Sequence, residues 1–264
     1  MAHAFRTDKL SSPVHDARGR FDAVLAAQLR GYTFENPETK QSQAIPAAVV
    51  AMVAAAKAME LHRAIGQLVV GALFFAMRSC EFSDVGGPRR TRIITVGDIE
   101  CRRDGRKTDV DDEGGMAAAD AISLTFRKQK NGEKGTTVTQ HQTSGTTIGG
   151  VRLCCPVASF ARLVARMRRY EPSETEWAER NRRPINLVTT AEGTTLMTSH
   201  QISHHLRATA LQYGEERLGF LTANIGAHSL RAGATTAMFF AGVPAETIQL
   251  IGRWRSQTSY YATF

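Results

Sequence analysis

The sequence predicts an α+β protein that is mainly α-helical and contains a small antiparallel β-sheet. Three observations lead to this prediction. Apolar residues at helical spacing fill 47–59 and 61–77, and the second segment is apolar all round, as a buried helix is. Residues 120–128 alternate between apolar and polar side chains, which is typical of a half-buried strand. Helical patterns then return after residue 156.

The middle of the chain is predicted to form the sheet. A strand is expected at 91–99, and a charged, glycine-containing surface loop is expected at 102–119. Asn131-Gly132 is typical of a hairpin turn, and it separates the alternating segment from residues 136–140. These two segments are therefore predicted to pair as an antiparallel hairpin.

The last part of the chain is predicted to be helical again. Helices are expected at 156–170, 199–213 and 228–241, with a shorter one at 245–251. Ser199 is the predicted N-cap of the second of these helices. The order of elements is therefore helices, a small sheet, and helices.

The first 44 residues differ in composition from the rest. They are mixed and polar, and a short helix is expected at 22–29. We interpret residues 1–44 as an N-terminal arm or the remnant of a further domain, and residues 45–264 as one domain.

The chain is basic, with a formal net charge of +8 over 264 residues and a sequence pI of about 9.6. A positive balance of this size favours a polyanionic partner such as DNA, RNA or an acidic membrane surface, although a basic protein without such a partner remains an alternative. No run of about 18 apolar residues is free of charged or strongly polar side chains, so no membrane helix is expected. The four cysteines show no C-x-x-C spacing, which argues against a zinc site and favours a reducing, intracellular compartment.

Several side chains with phosphate chemistry follow one another along the chain. His228 and Arg231 are three residues apart and would share one helix face, where an arginine can bind phosphate oxygens and a histidine can move a proton. Arg78 ends an apolar helix and is followed by Glu81, which could hold it in place. Lys130 lies at the tip of the predicted hairpin. Taken alone, His228 and Arg231 are better explained as an exposed helix pair, and Arg78 has the alternative of a helix-end cation. Lys130 has the alternative of a solvated lysine at the hairpin tip, and Lys128 and Lys134 compete with it for any role.

The order of these residues, completed by Gly252-Arg253-Trp254 and Tyr260-Tyr261, resembles the catalytic domain of tyrosine site-specific recombinases of the phage-integrase type. Two local sequences resemble those of recombinases from crypton-type and related eukaryotic mobile elements. They are His228-Ser-Leu-Arg-Ala-Gly-Ala and Ile251-Gly-Arg-Trp-Arg-Ser. The resemblance covers residues 44–264. It implies DNA breaking and rejoining, with recombination or integration as the outcome.

The resemblance also implies a role for each residue. Arg78 and Arg231 would clamp the scissile phosphate, supported by Glu81. Lys130 would protonate the leaving 5′ oxygen, His228 would assist proton transfer, and Trp254 would donate its indole N–H to the phosphate. The nucleophile would be Tyr261 or Tyr260, which would form a covalent 3′-phosphotyrosyl intermediate without a metal or other cofactor. The expected partners are double-stranded DNA and further copies of the chain in a synaptic complex, and a eukaryotic source would imply a nuclear location.

Two departures from the family pattern keep alternatives open. Residues 1–44 are too few for the separate core-binding domain that usually precedes the catalytic one, and Tyr261 follows Trp254 by seven residues where eight or nine are usual. A catalytically inactive, DNA-binding relic of such a recombinase is therefore the main alternative. A type IB topoisomerase, and a helical RNA-binding or scaffold protein, are the others.

Overall fold

The computed structural model describes residues 43–56, 59–86, 91–109, 112–128, 135–143, 147–148, 151–152, 155–170 and 179–254. All of them belong to one compact unit that spans 42–264. The predicted helix at 22–29 and the predicted turn at Asn131-Gly132 lie outside the described residues, and the domain boundary at residue 45 stays a prediction.

The elements follow the predicted order of helices, a small sheet, and helices. The first helices are α1 (Ala47–Ala55), α2 (Glu60–Phe74) and the single turn α3 (Ser79–Phe82). The middle contains β1 (Ile99–Arg103), β2 (Arg106–Thr108), α4 (Glu113–Ala117), β3 (Ala121–Phe126), β4 (Thr136–His141), β5 (Thr147–Ile148) and β6 (Val151–Arg152). The last part contains α5 (Pro156–Arg169), β7 (Leu187–Thr190), β8 (Gly193–Leu196), α6 (Ser199–Tyr213), α7 (Glu215–Leu218), α8 (Ser229–Phe240) and α9 (Ala245–Gly252). The predicted fold class, mainly helical α+β with a small antiparallel sheet, is confirmed.

Helix α2 is the centre of the hydrophobic core. Its residues from Ala64 to Leu73 are buried with the exception of Gln67, as its uniformly apolar sequence predicts. It packs against α1, α5 and α8. Gly71 lets α5 approach closely, since a Cβ atom there would lie 2.4 Å from the ring of Phe160. None of the helices in the described part of the chain is long and apolar enough to span a membrane.

The four-stranded antiparallel sheet has the order β2-β1-β3-β4. Leu124 pairs with Ile99 on one side and with Val138 on the other. The apolar residues of β3, Ile122, Leu124 and Phe126, are buried on one face, as the alternating pattern predicts. The predicted antiparallel pairing of this strand with β4 is therefore confirmed.

Two predictions for the segment before β3 are wrong. Residues 92–94 are not a strand, because the backbone N–H and hydroxyl of Thr95 both donate to Asp98 at 2.9 Å and wind 96–98 into a 3₁₀ turn. The strand therefore starts only at Ile99. The expected loop at 102–119 contains β2 and α4 instead, and α4 begins where the Asp112 side chain accepts a 2.8 Å hydrogen bond from the N–H of Gly115.

The N-cap of α6 also differs from the prediction. Thr198, one residue before Ser199, accepts the hydrogen bond from the N–H of Gln201, whose side chain accepts in return from the N–H of Thr198. This reciprocal pair is a capping box. The bounds of the helix itself, Ser199–Tyr213, agree with the prediction.

Candidate anion-binding site

A sharp turn after α2 places Arg78 beside Glu81. The helix ends at Phe74, and Ala76 adopts a positive φ of 44° that reverses the chain. Arg78 then caps α3, where its backbone N–H donates to the Glu81 carboxylate at 2.8 Å. The Arg78 guanidinium donates to the same carboxylate at 3.0 Å. The local backbone thus fixes the arginine and the glutamate as one unit.

A second arginine, Arg253, binds the same carboxylate from the end of α9. Its guanidinium is fully buried and donates to Glu81 at 2.7 Å and to the carbonyl oxygen of Phe75 at 3.1 Å. It also lies over the ring of Phe126 at 3.5 Å from the ring centre, so that the base of the β3–β4 hairpin contacts the site. Its Nε is buried and has no hydrogen-bond partner among the described residues.

The third arginine, Arg231, comes from the first turn of α8. Its guanidinium donates to the carbonyl oxygens of Ala76 and Gly252. It also stacks on the Trp254 indole, at 3.8 Å from the ring centre. Two of its five N–H groups are thus committed to backbone carbonyls within the described part of the chain.

The backbone at 252–253 joins these side chains. The carbonyl oxygen of Gly252 accepts from Arg231, and the next carbonyl oxygen, that of Arg253, accepts from Arg78 at 3.0 Å. Arg253 adopts a left-handed backbone conformation with φ 59°, which ends α9 and orients these two carbonyls. We call Arg78, Glu81, Arg231 and Arg253 the arginine cluster.

The arginine cluster has three positive charges and one negative charge, a net of +2. Burial lowers the pKa of Arg253 to about 10, with Arg78 lowering it further and Glu81 opposing the change. Burial also lowers the pKa of Arg231, as do the charges of Arg78 and Arg253. These shifts mean that the cationic forms are costly where they stand, and a bound anion would relieve that cost.

Two further predicted site residues, Trp254 and His228, lie near Arg231. Trp254 is partly buried against Arg231, and His228 is exposed immediately before α8, one helical turn from Arg231. Lys130, Tyr260 and Tyr261 lie outside the described residues. Lys128, the nearest described lysine of the hairpin, is exposed.

Arg253 is the member of the cluster that the sequence analysis did not single out. It stands inside the quoted Gly252-Arg253-Trp254 motif, but its residue type alone does not separate it from the many exposed arginines. Its position directly after an apolar helix and a glycine marks it as a helix-end residue, but its burial depends on Glu81, which is 172 positions away.

The described residues include histidine, cysteine, aspartate and glutamate side chains, which are the usual protein ligands of metal ions. No group of three or more histidine, cysteine, aspartate or glutamate side chains among them could hold a metal ion.

Comparisons with known proteins give a distant likeness in structure. No family model and no curated protein matches the chain. The chain is similar to the Tn1549 transposon integrase in complex with transposon right end DNA, with 14% identity and a TM-score of 0.42, over 87% of this chain and 62% of that one. It is also similar to this integrase in complex with circular intermediate DNA, with 14% identity and a TM-score of 0.44, over 91% of this chain and 70% of that one.

A likeness at this identity and TM-score does not transfer an activity, a substrate or a partner to this chain. Neither structure is described as a crypton-type recombinase, so that finer resemblance stays a prediction. The chain spans 62% of the length of the first of these structures.

Proposed function

We propose that this protein is a tyrosine-type DNA recombinase that breaks and rejoins DNA through a covalent 3′-phosphotyrosyl intermediate. The observation that supports this most is the arginine cluster, where Arg78 and Arg231 are held on consecutive carbonyls beside one buried carboxylate. Two fixed guanidinium groups suit the non-bridging oxygens of a phosphodiester, on which negative charge builds during cleavage.

In this proposal the residues of the cluster and Trp254 have different roles at the phosphate. Arg78 and Arg231 stabilise the developing charge, and Trp254, which stacks on Arg231, donates its indole N–H to the phosphate. Glu81 keeps Arg78 in position through two hydrogen bonds. A net charge of +2 in a half-buried site attracts the anionic phosphodiester before any bond is broken.

Bond breaking requires a nucleophile and proton transfers. In this proposal the phenolic oxygen of Tyr261, or of Tyr260, attacks phosphorus and forms the tyrosyl ester, while the bond to the 5′ oxygen breaks. Lys130 gives a proton to that 5′ oxygen, and His228 assists removal of the phenolic proton. Attack by a 5′ hydroxyl reverses the steps, so that rejoining requires no nucleoside triphosphate.

The partners follow from the same chemistry. The net charge of +8 favours binding to the backbone of double-stranded DNA, and strand exchange requires several copies of the chain in one synaptic complex. DNA integration by a mobile element is the biological setting that the resemblance implies. A nuclear location belongs to this proposal only for a eukaryotic source.

The experiment is covalent trapping on a nicked suicide duplex, followed by a denaturing gel. The expected result is a protein–DNA adduct that is lost in Tyr261→Phe, whereas loss in Tyr260→Phe alone would move the nucleophile to that residue. Arg231→Lys keeps the charge but removes the fork of donors, and it should lower the trapping rate by about 10²- to 10³-fold. Salt-sensitive DNA binding without any adduct would support the inactive relic, and the absence of DNA binding at low salt would overturn both.

A further inference from the structure

We propose that Arg253 is a positioning residue that keeps Arg78 available to phosphate by sharing the charge of Glu81. This inference rests on the proposed phosphate clamp and assigns to it a residue that need not touch the substrate. The Arg253 side chain is completely buried, whereas that of Arg78 is 16% exposed. Arg253 therefore acts on the ligand through its neighbours.

The two arginines share the Glu81 carboxylate. It accepts hydrogen bonds from the Arg78 backbone N–H at 2.8 Å, from the Arg78 guanidinium at 3.0 Å and from the Arg253 guanidinium at 2.7 Å. The Arg78 guanidinium donates to one carboxylate oxygen, and the other oxygen accepts from the Arg78 backbone N–H and from Arg253. Arg253 thus blocks the two-pronged pairing that an arginine and a carboxylate otherwise prefer.

Removing Arg253 would change how strongly Glu81 holds Arg78. The oxygen that it vacates would accept from Arg78, and a carboxylate left with one cation at 1% exposure would hold that cation more strongly. The Arg78 guanidinium would then turn toward Glu81 and away from the phosphate. Phosphate affinity would fall because the Glu81 carboxylate competes with phosphate for Arg78. Neutralising Glu81 should therefore restore the affinity.

Arg253 also fixes the backbone at the end of α9. Arg253 donates to the carbonyl oxygen of Phe75 at 3.1 Å, which ties the end of α9 to the end of α2, and to the carbonyl oxygen of Ile251 within α9 at 3.2 Å. The same junction presents the Gly252 and Arg253 carbonyls to Arg231 and Arg78. A lysine at position 253 would keep the ion pair with Glu81 but not all of these bonds, so it should give an intermediate effect.

The test is calorimetric titration of the full chain with inorganic phosphate, at constant ionic strength set with sodium chloride. The variants are Arg253→Met, Arg253→Lys, Glu81→Gln and the double variant Arg253→Met/Glu81→Gln. Arg253→Met should weaken phosphate binding by about tenfold, or about 1.4 kcal/mol. The double variant should return to within about threefold of the unsubstituted chain, since the two effects are coupled. Arg253→Lys should lie between Arg253→Met and the unsubstituted chain.

A matched control is available at Arg166. This arginine of α5 is also buried, donates to Gln67 and to the Leu187 carbonyl at 3.0 and 3.2 Å, and has a buried nitrogen without a partner among the described residues. Arg166→Met should lower the thermal midpoint as Arg253→Met does, yet leave phosphate binding unchanged.

The outcomes separate this inference from the proposed function. If the unsubstituted chain binds phosphate and Arg231→Met abolishes binding while Arg253→Met does not change it, the positioning role is wrong and the clamp stands. A double variant that binds worse than Arg253→Met would show that Arg253 acts only as a structural support, which also overturns the inference. Should Arg253→Met fail to fold, Arg253→Lys carries the comparison, with and without Glu81→Gln. If the unsubstituted chain binds neither phosphate nor duplex DNA, both the clamp and the role of Arg253 fall.

Discussion

The Trp254 indole lies directly against the backbone of Gly252, so closely that a Cβ atom at residue 252 would be 1.4 Å from a ring carbon. The same indole stacks on the guanidinium of Arg231. The absence of a side chain at position 252 is therefore what allows the tryptophan to reach the arginine.

We expect Gly252→Ala to displace the indole from Arg231, because a contact of this length cannot be absorbed by small adjustments. The measurement is tryptophan fluorescence in a Trp177→Phe background, where Trp254 is the only tryptophan of the sequence. Its emission should shift to longer wavelength as the ring becomes more exposed. Gly226→Ala is the matched control, since a Cβ atom there meets only the Ser203 hydroxyl at an ordinary 3.7 Å. An unchanged emission in Gly252→Ala would contradict the packing.

Removal of the Glu81 carboxylate should destabilise the fold. Glu81→Ala leaves the buried Arg253 without its carboxylate partner, and such a loss typically costs about 3–5 kcal/mol in the free energy of unfolding. Urea denaturation monitored by circular dichroism measures it. Glu246→Ala, at an exposed position in α9, should change the same quantity by less than about 1 kcal/mol. Equal stabilities of the two variants would show that the Glu81 ion pair contributes little.

Stability should fall in mild acid because of His205 in α6. Burial lowers the pKa of His205, and so do His62 and His204, whose rings lie near it. The unfolded chain therefore takes up a proton at a higher pH than the folded chain does. The contribution of this residue to stability is fully present above the ordinary histidine pKa of about 6.5 and is lost as the pH falls below it toward the lowered value.

The variant His205→Phe keeps a ring at this position but cannot be protonated. We expect its urea midpoint to fall less between pH 7.5 and pH 5 than that of the unsubstituted chain. His200→Gln, at an exposed position on the same helix, should keep the full pH dependence. If the urea midpoint falls equally with pH in the unsubstituted chain and in both variants, His205 does not govern the loss of stability in acid.

DNA binding should weaken steeply with salt. Each phosphate contact contributes a slope of about −0.9 in log K against log salt concentration. If Arg78 contacts one phosphate, Arg78→Met should reduce the slope by about that amount, as measured by fluorescence anisotropy with a labelled duplex. Arg166→Met, which removes a buried arginine, should leave the slope unchanged. A slope that does not differ between these variants would exclude a phosphate contact by Arg78.

The residues that repeat a simple pattern were predictable from the sequence. The alternation of Ile122, Leu124 and Phe126 gave the buried face of β3, and the bounds of α6 agreed with its helical pattern. Arg78, Arg231 and Trp254 were singled out by residue type and order, and they lie together in the folded chain.

The features that were not predicted from the sequence depend on particular side-chain partners. Thr95 and Asp98 form a 3₁₀ turn through their own hydrogen bonds in a segment whose composition favours a strand. Arg253 is buried because Glu81, 172 positions away, offers a carboxylate at the right place. No local pattern contains that information, since it arises only when α9 packs near the end of α2.

The long separation between partners has a consequence for synthesis of the chain. Arg78 leaves the ribosome 175 residues before the carbonyl that will hold it, and Ala76 precedes Arg231 by 155 residues. For much of its elongation the nascent chain therefore carries Arg78 without the carbonyl oxygen of residue 253, and closing a loop of this length is slow. The arginine cluster is therefore completed only after the segment around residue 253 has docked. Until then Arg78 and Arg231 each lack one of the backbone carbonyls that hold them in the folded chain.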